Sequence, residues 1–235
     1  MQQENQLPSK DQSPQMFDRI SGTYDLLNRT LSAGIDVYWR NQLVKELPSS
    51  GNLKVLDLAT GTADLAITLA KQDLVNEVVG VDPSVGMLEV GKKKIAKLEH
   101  KKIELKTGNA MELEYDDNTF DVVTISFGIR NFPDPEKGLQ EIYRVLRPGG
   151  KLLILEFGVP KQPLKSPYLF YFRKVLPQLG AIVSKDKTAY TYLNKTVEDF
   201  PYAKSFTSLM EKHQYKNAKY QSLSLGICYL YSGEK

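Results

Sequence analysis

Two carboxylates, Asp57 and Asp64, flank a turn of small residues in the run Lys54-Val-Leu-Asp57-Leu-Ala59-Thr-Gly61-Thr62-Ala63-Asp64-Leu. Small side chains at 59, 61 and 63 let the backbone pass close to a ligand, and a helix starting just beyond offers unpaired amides to a carboxylate or phosphate. The two acids narrow the choice. They repel a pyrophosphate and attract a molecule carrying an ammonium and a sulfonium, which favours S-adenosylmethionine over NAD. The next apolar run, Glu77-Val-Val-Gly-Val-Asp82, ends in a third acid. Dinucleotide-type folds place a carboxylate there to bind both ribose hydroxyls. Gly108-Asn109-Ala110 follows a further run, where an Asn side chain suits adenine or its ribose. Each of these acids also suits the plainer role of turn former or helix cap.

The run Val123-Thr-Ile-Ser126-Phe-Gly-Ile-Arg130-Asn131-Phe-Pro-Asp134 carries the second set of polar groups. Enzymes that methylate amino groups of nucleic acids have an Asn/Asp/Ser-Pro-Pro-aromatic motif at this point, and Ser126-Phe127-Gly128-Ile129 lacks both prolines. Turns favour Asn, Asp or Gly over Arg, so Arg130 stands out. A guanidinium there can stabilise the oxyanion of a phenol or quinol methylated at a ring carbon. The competing reading is a structural ion pair with an acid such as Asp134. A base is also needed. The only histidines, His100 and His213, lie in polar contexts, so Asp64 acting through water is the candidate. Cys228 sits in an apolar run with no activating charge, which argues against a nucleophilic pair with His213.

Placing these residues requires a parallel sheet. Apolar runs near 53–58, 77–82, 102–107, 120–126 and 150–157 alternate with helical segments beginning near Leu65, Ser84 and Pro135, the last stopped by a turn at Arg147-Pro-Gly-Gly. Runs near 217–224 and 226–232 are too close for anything but an antiparallel hairpin. The expected fold class is therefore α/β: a Rossmann-like class I methyltransferase sheet of seven mixed strands, helices on both faces and a C-terminal hairpin. Residues 1–13 read as a disordered tail and 14–235 as one domain. Within it, helices over 14–47 cover the ligand edge, and 158–206 form an aromatic cap in which Tyr168, Phe172 and Leu176 share a helical face. An apolar pocket for a greasy substrate and ordinary docking on the sheet both fit that face.

The chain has 235 residues, which suits a single domain with a full core. A formal net charge of +3 gives no strong field for a polyanion, so nucleic acid is not favoured. The single cysteine excludes an internal disulfide and a thiolate metal cluster, and no metal is expected. The polar start lacks the apolar core of a signal peptide, so a cytoplasmic protein is expected. Lys92-Lys-Lys, Lys97, His100, Lys101 and Lys102 read as a solvated face or as a contact for anionic lipid headgroups.

With these residues in view, the chain resembles the ubiquinone/menaquinone biosynthesis C-methyltransferase family. The resemblance rests on Met16-Phe-Asp-Arg-Ile-Ser-Gly-Thr-Tyr24-Asp25-Leu-Leu-Asn28, Trp39-Arg40, the Asp57 to Asp64 loop, Phe120 to Phe132, Leu155-Glu156-Phe157 and several stretches of the cap, among them Ala189-Tyr190-Thr-Tyr192-Leu193. It implies methyl transfer from S-adenosylmethionine to a ring carbon of a polyprenylated quinol, with demethylmenaquinol preferred to the ubiquinone branch. By this resemblance Thr62, Asp82, Asn109, Ala110 and Ser126 occupy donor-binding positions; with Asp57 and Gly61 of the loop they form the expected donor site, and Arg130, Asn131, Asp64 and Tyr24 form the expected catalytic set. Transient contact with a membrane surface is expected of an enzyme with so insoluble a substrate, and a homodimer is left open. Two departures stand out: Ala63 replaces the loop's usual glycine, and Tyr231 stands where many members have histidine. Methylation of another small acceptor, a donor-binding regulator without catalysis and a nicotinamide oxidoreductase are the other readings.

Overall fold

The computed structural model describes residues 7–32, 34–49, 51–98, 102–175, 178 and 187–235. One seven-stranded sheet has the order β3-β2-β1-β4-β5-β7-β6. Its strands are β1 (Leu53–Leu58), β2 (Val75–Asp82), β3 (Ile103–Thr107), β4 (Phe120–Ser126), β5 (Leu146–Phe157), β6 (Lys216–Leu223) and β7 (Cys228–Glu234). The first five run parallel, and β7 enters antiparallel between β5 and β6. The strand order reverses between β1 and β4, so a crevice opens beyond their carboxyl ends, where α/β sheets bind ligands.

The helices in chain order are α1 (Ser13–Leu31), α2 (Ile35–Val44), α3 (Asp64–Ala70), α4 (Val85–Ile95), α5 (Pro135–Val145), α6 (Lys165–Phe170), α7 (Lys187–Asp199) and α8 (Lys204–Lys212). Their starts follow from local chemistry. Ser84 Oγ accepts the Met87 amide at 3.2 Å to cap α4, and Asp134 accepts the Lys137 amide at 3.0 Å to cap α5, with Pro135 supplying a pre-set first turn. β1, β4 and the end of β5 are almost wholly buried because both faces of the sheet are covered. On one face Phe120, Leu139, Ile142 and Phe206 form the core; on the other Leu43, Val55, Leu69 and Leu153 do. A third cluster, with Met16, Ile20, Phe172 and Tyr192 at its centre, joins α1 to the cap above the strand ends. Among the described residues, no helix is long and apolar enough to cross a membrane.

Three expectations change. Arg147-Pro-Gly-Gly is not a free turn: Phe120 pairs with Leu146 and Val122 with Lys151, so residues 147–150 bulge from β5. The bulge is held by the C-terminus, with the Gly149 amide donating to Lys235 O and the Lys235 amide to Gly150 O, both at 3.0 Å. The tail is ordered before Ser13. Lys10–Gln12 form a helical turn and Lys10 Nζ donates to Phe132 O at 3.0 Å, while residues 1–6 lie outside the described residues. In the cap, α6 runs into a π-helical turn at Tyr171–Val175; Leu176 and the side chain of Tyr190 lie outside the described residues.

Ala63 is buried with φ of 66°, a left-handed conformation that only glycine adopts without steric cost. Ala63→Gly should therefore raise stability by about 1 kcal/mol, less whatever the freer glycine gains in the unfolded chain. A urea melt measures it, and a lowered midpoint would refute the reading of strain.

Candidate active site

At the crevice the sequence builds two adjoining cavities. The larger, of about 680 Å³, is a groove along the ends of β2, β3 and β4. Asp82, Asn109, Ala110 and Asn131 line it, and Lys10 and Phe17 form part of its roof. Asp82 is fixed from two sides: its carboxylate accepts the amides of Gly61 and Ser84, each at 2.8 Å. Burial outweighs those bonds and pushes its pKa up to about 6. Asn109 Oδ1 accepts the Met111 amide at 3.0 Å, which pins the turn after β3 against the groove.

The smaller cavity, of about 120 Å³, is enclosed by aromatic side chains. Trp39, Phe127 and Phe157 pack as a cluster on its floor, with Phe127 stacked on Phe157 at 4.3 Å. Tyr24, Tyr168 and Phe172 close it from α1 and the cap, and Phe17 borders both cavities. Arg130 enters this wall. It is 4% exposed, its Nη1 donates to Glu156 Oε1 at 2.7 Å and to Phe127 O, and the guanidinium lies 5.3 Å over the Phe157 ring. The Arg-Asn turn thus faces two ways, Arg130 into the aromatic cavity and Asn131 into the groove.

Arg130's acid is Glu156 on β5, not Asp134, which caps α5. Glu156 is fully buried, and its other oxygen receives the Arg130 amide at 3.3 Å. Sequence reasoning gave it no role. Its signal was available in principle: Ser126 pairs with Leu155 across β4 and β5, so the acid after Leu155 must face the turn after Ser126.

Asp57, Gly61, Thr62, Asp64 and Ser126 are not among the residues lining either cavity. Asp57 is sealed by Thr60 Oγ1 at 2.6 Å and Thr124 Oγ1 at 2.7 Å, and burial raises its pKa to about 6. It shapes the loop from behind. Asp64 is bridged by Lys94 at 2.5 Å and Arg40 at 3.2 Å, so two cations already occupy the carboxylate expected to serve as base. Thr62 Oγ1 donates to Asp25 of α1 at 2.5 Å, and Lys94 also reaches Asp25, at 2.8 Å. These contacts fasten the cover helix to the loop. Of the expected basic face, Lys92, Lys93 and Lys97 are exposed as a solvated face requires, whereas Lys94 points into this network and Lys102 donates to Val75 O; His100 and Lys101 lie outside the described residues. His213 bonds Glu136 and Cys228 is buried apart from it in β7, so no nucleophilic pair exists. Tyr231 is fully buried and accepts the Ala203 amide at 2.8 Å, a packing role that explains its departure from histidine without the site.

Of the five buried polar side-chain atoms without a hydrogen-bond partner among the described residues, Tyr192 Oη and Asn194 Oδ1 lie on α7, and the other three are Ser126 Oγ, Asn131 Oδ1 and Arg130 Nε. These three sit on the end of β4 or the turn after it, between the cavities. Buried polar atoms are normally paired, so this set fits ligands on both sides. An acid at the end of β2, a groove at the switch point and a sheet of this order define a class I S-adenosylmethionine-dependent methyltransferase. The fold is shared with a solved S-adenosylmethionine-dependent methyltransferase from Thermotoga maritima, at a TM-score of 0.67 and 21% identity over 94% of this chain and 99% of that one. A profile of the ubiE/COQ5 methyltransferase family matches residues 6–235, and the chain belongs to that family. It is 40% identical over 227 residues to the demethylmenaquinone methyltransferase of Bacteroides fragilis, covering 96% of this chain and 93% of that protein. It is 43% identical over 224 residues to the ubiquinone/menaquinone biosynthesis C-methyltransferase UbiE of Geotalea daltonii, covering 94% and 95%.

Proposed function

We propose that this enzyme methylates a ring carbon of demethylmenaquinol. The observation that carries the reading is Arg130, a buried guanidinium with an unpartnered Nε in the wall of an aromatic cavity beside the donor groove. Asp82, Asn109 and Asn131 line the groove that would hold S-adenosylmethionine, which would supply an electrophilic methyl on a sulfonium. The residues of this chain prepare the nucleophile. Arg130 stabilises the oxyanion left when a quinol hydroxyl loses its proton, and the charge raises electron density at the ring carbon beside it. The aromatic walls exclude water and hold the ring flat. That carbon forms its bond to the methyl as the sulfonium–carbon bond breaks, then releases its own proton as the ring regains aromaticity. Asp36, which lines this cavity, is held by Arg40, and Glu156 behind its wall by Arg130, so neither is a free base, and the hydroxyl proton and then the ring-carbon proton pass to water at the open side of the cavity.

A cavity of about 120 Å³ is smaller than the apolar cavity of about 150 Å³ that takes one benzene, so it encloses only part of a naphthoquinol ring and none of a polyprenyl chain. The tail therefore lies outside. Exposed apolar residues adjoin the lining at three places: Phe170 beside Tyr171, Tyr38 beside Trp39, and Leu225 two residues before Ile227, with Trp39 Nε1 bonded to Ser224 Oγ at 2.9 Å. Leu225 is 75% exposed and Phe170 66%. This apolar surface is the part that meets a membrane. Phe170→Glu with Leu225→Glu should abolish co-sedimentation with anionic vesicles and raise KM at least tenfold for tailed substrate, but not for a tailless quinol. Equal effects on both substrates would remove the membrane role.

Methyl transfer from labelled donor tests the substrate itself, with reduced demethylmenaquinone, its oxidised form and a demethylated benzoquinol in parallel. Mass spectrometry should show ring methylation of the reduced naphthoquinol alone. Equal turnover of the benzoquinol would make the enzyme a shared catalyst, and turnover of neither would sink the assignment.

A further inference from the structure

The aromatic cavity has a second polar end that this chemistry does not use. Asp36, in the first turn of α2, is 4% exposed and lines the same cavity as Arg130. Its Oδ2 accepts from Arg40 Nη1 at 2.5 Å, its Oδ1 accepts from Ser32 Oγ at 2.8 Å, and Arg29 Nε lies 3.9 Å away. Burial pushes its pKa up, but the hydrogen bonds from Arg40 and Ser32 outweigh that and hold the carboxyl below its usual range. It is thus an acceptor with no proton to give. Tyr24 stands between the two ends: its hydroxyl bonds Asn28 and feels the charges of both Arg130 and Arg40. Most of the remaining wall is apolar, so the cavity's charged groups are the Arg130 guanidinium and the Asp36–Arg40 ion pair.

We infer that Asp36 is a specificity-determining residue, its carboxylate accepting the O–H of the hydroxyl para to the oxygen that Arg130 holds. The inference rests on the quinol reading and deepens it. A singly ionised quinol carries one oxyanion and one hydroxyl on opposite sides of its ring, which matches the two ends. A quinone presents a carbonyl to Asp36, acceptor against acceptor, and the neighbouring Arg40 is already committed to Asp36 and Asp64, so a site built to receive an O–H discriminates against the analogue lacking it. The cavity therefore reads the redox state of its ligand before any chemistry occurs. Arg40, which lines the cavity beside Asp36 and is linked through Asp64 to Lys94, positions the carboxylate.

Trp39, the only tryptophan, lines the cavity, so its fluorescence reports occupancy. Titrated anaerobically with S-adenosylhomocysteine in place of the donor, the wild-type enzyme should bind a tailless naphthoquinol at least tenfold more tightly than the corresponding naphthoquinone. Asp36→Asn places an amide there that can donate to a carbonyl, and should shrink that ratio at least fivefold. A purely structural role would weaken both ligands alike, so an unchanged ratio overturns the inference. Should Asp36→Asn not fold, the monomethyl ether of the naphthoquinol gives the same test on wild-type protein: it should bind at least tenfold more weakly than the quinol, and equal affinity overturns the role. Turnover of tailed quinol with an unchanged ratio removes only Asp36, whereas absence of all quinol turnover and binding removes the substrate assignment with it.

Discussion

Arg130→Ala is expected to lower methyl transfer by about a thousandfold while the donor's Kd stays within about twofold, because losing one preorganised oxyanion donor in a water-poor site typically costs two to three orders of magnitude. The donor groove should be spared, since Asn131 and Asp82 rather than Arg130 face it. The substitution also has a structural cost. It leaves Glu156, fully buried, without its cation, and breaking a buried pair from one side destabilises by about 3–5 kcal/mol. Low activity could then be mere unfolding. The double variant Arg130→Met with Glu156→Leu separates the two, because replacing both charges by apolar groups of similar size restores much of the stability. Chemical denaturation should show that recovery, while single-turnover rates stay near those of Arg130→Ala. Recovery of activity along with stability would reduce Arg130 to the structural ion pair that its sequence context also allowed.

That ambiguity marks where the sequence stops being legible. Strands and helix starts announce themselves locally: alternating and continuous apolar runs give β1 to β5, and the helices expected to start near Ser84 and Pro135 are capped by Ser84 and Asp134. Asp82 was legible for the same reason, as the last residue of an apolar strand. The partner of Arg130 was not, because Glu156 lies 26 residues away and meets it only through the register of β4 on β5. Asp64 looked free to act as a base because its cations come from elsewhere, Arg40 on α2 and Lys94 on α4. Packing of helices across the strand ends decides those pairings, and no periodicity records it. The bulge at Arg147-Pro-Gly-Gly was hidden likewise, since its partner is the C-terminal Lys235.

Asp82→Asn should weaken donor binding about a hundredfold or more, since hydrogen bonds to a charged group contribute about 1.5–3 kcal/mol each and a ribose offers two hydroxyls. The same variant should be more stable than wild type without donor at pH 8. Asp82 titrates near 6 in the fold against 3.8 as a model carboxylate, because burial disfavours its charge. An acid whose value is raised by folding adds stability that is fully present below about pH 4 and lost as pH rises through 6, leaving a cost of about 3 kcal/mol above that. Asparagine carries no charge, but has one acceptor oxygen for the amides of Gly61 and Ser84 and gives back roughly 1 kcal/mol. Thermal melts should therefore place the variant above wild type at pH 8 and level with it or below at pH 4. Donor affinity of the wild type, read by calorimetry, should fall about tenfold per unit as pH drops below 6, a slope Asp82→Asn should lack. A variant less stable than wild type at pH 8 would mean that the two amides hold the carboxylate more strongly than burial opposes it. The predicted opposition between stability and binding has a simple origin: a carboxylate kept in a buried groove is costly while the groove is empty, and two ribose hydroxyls offset that cost when the donor arrives.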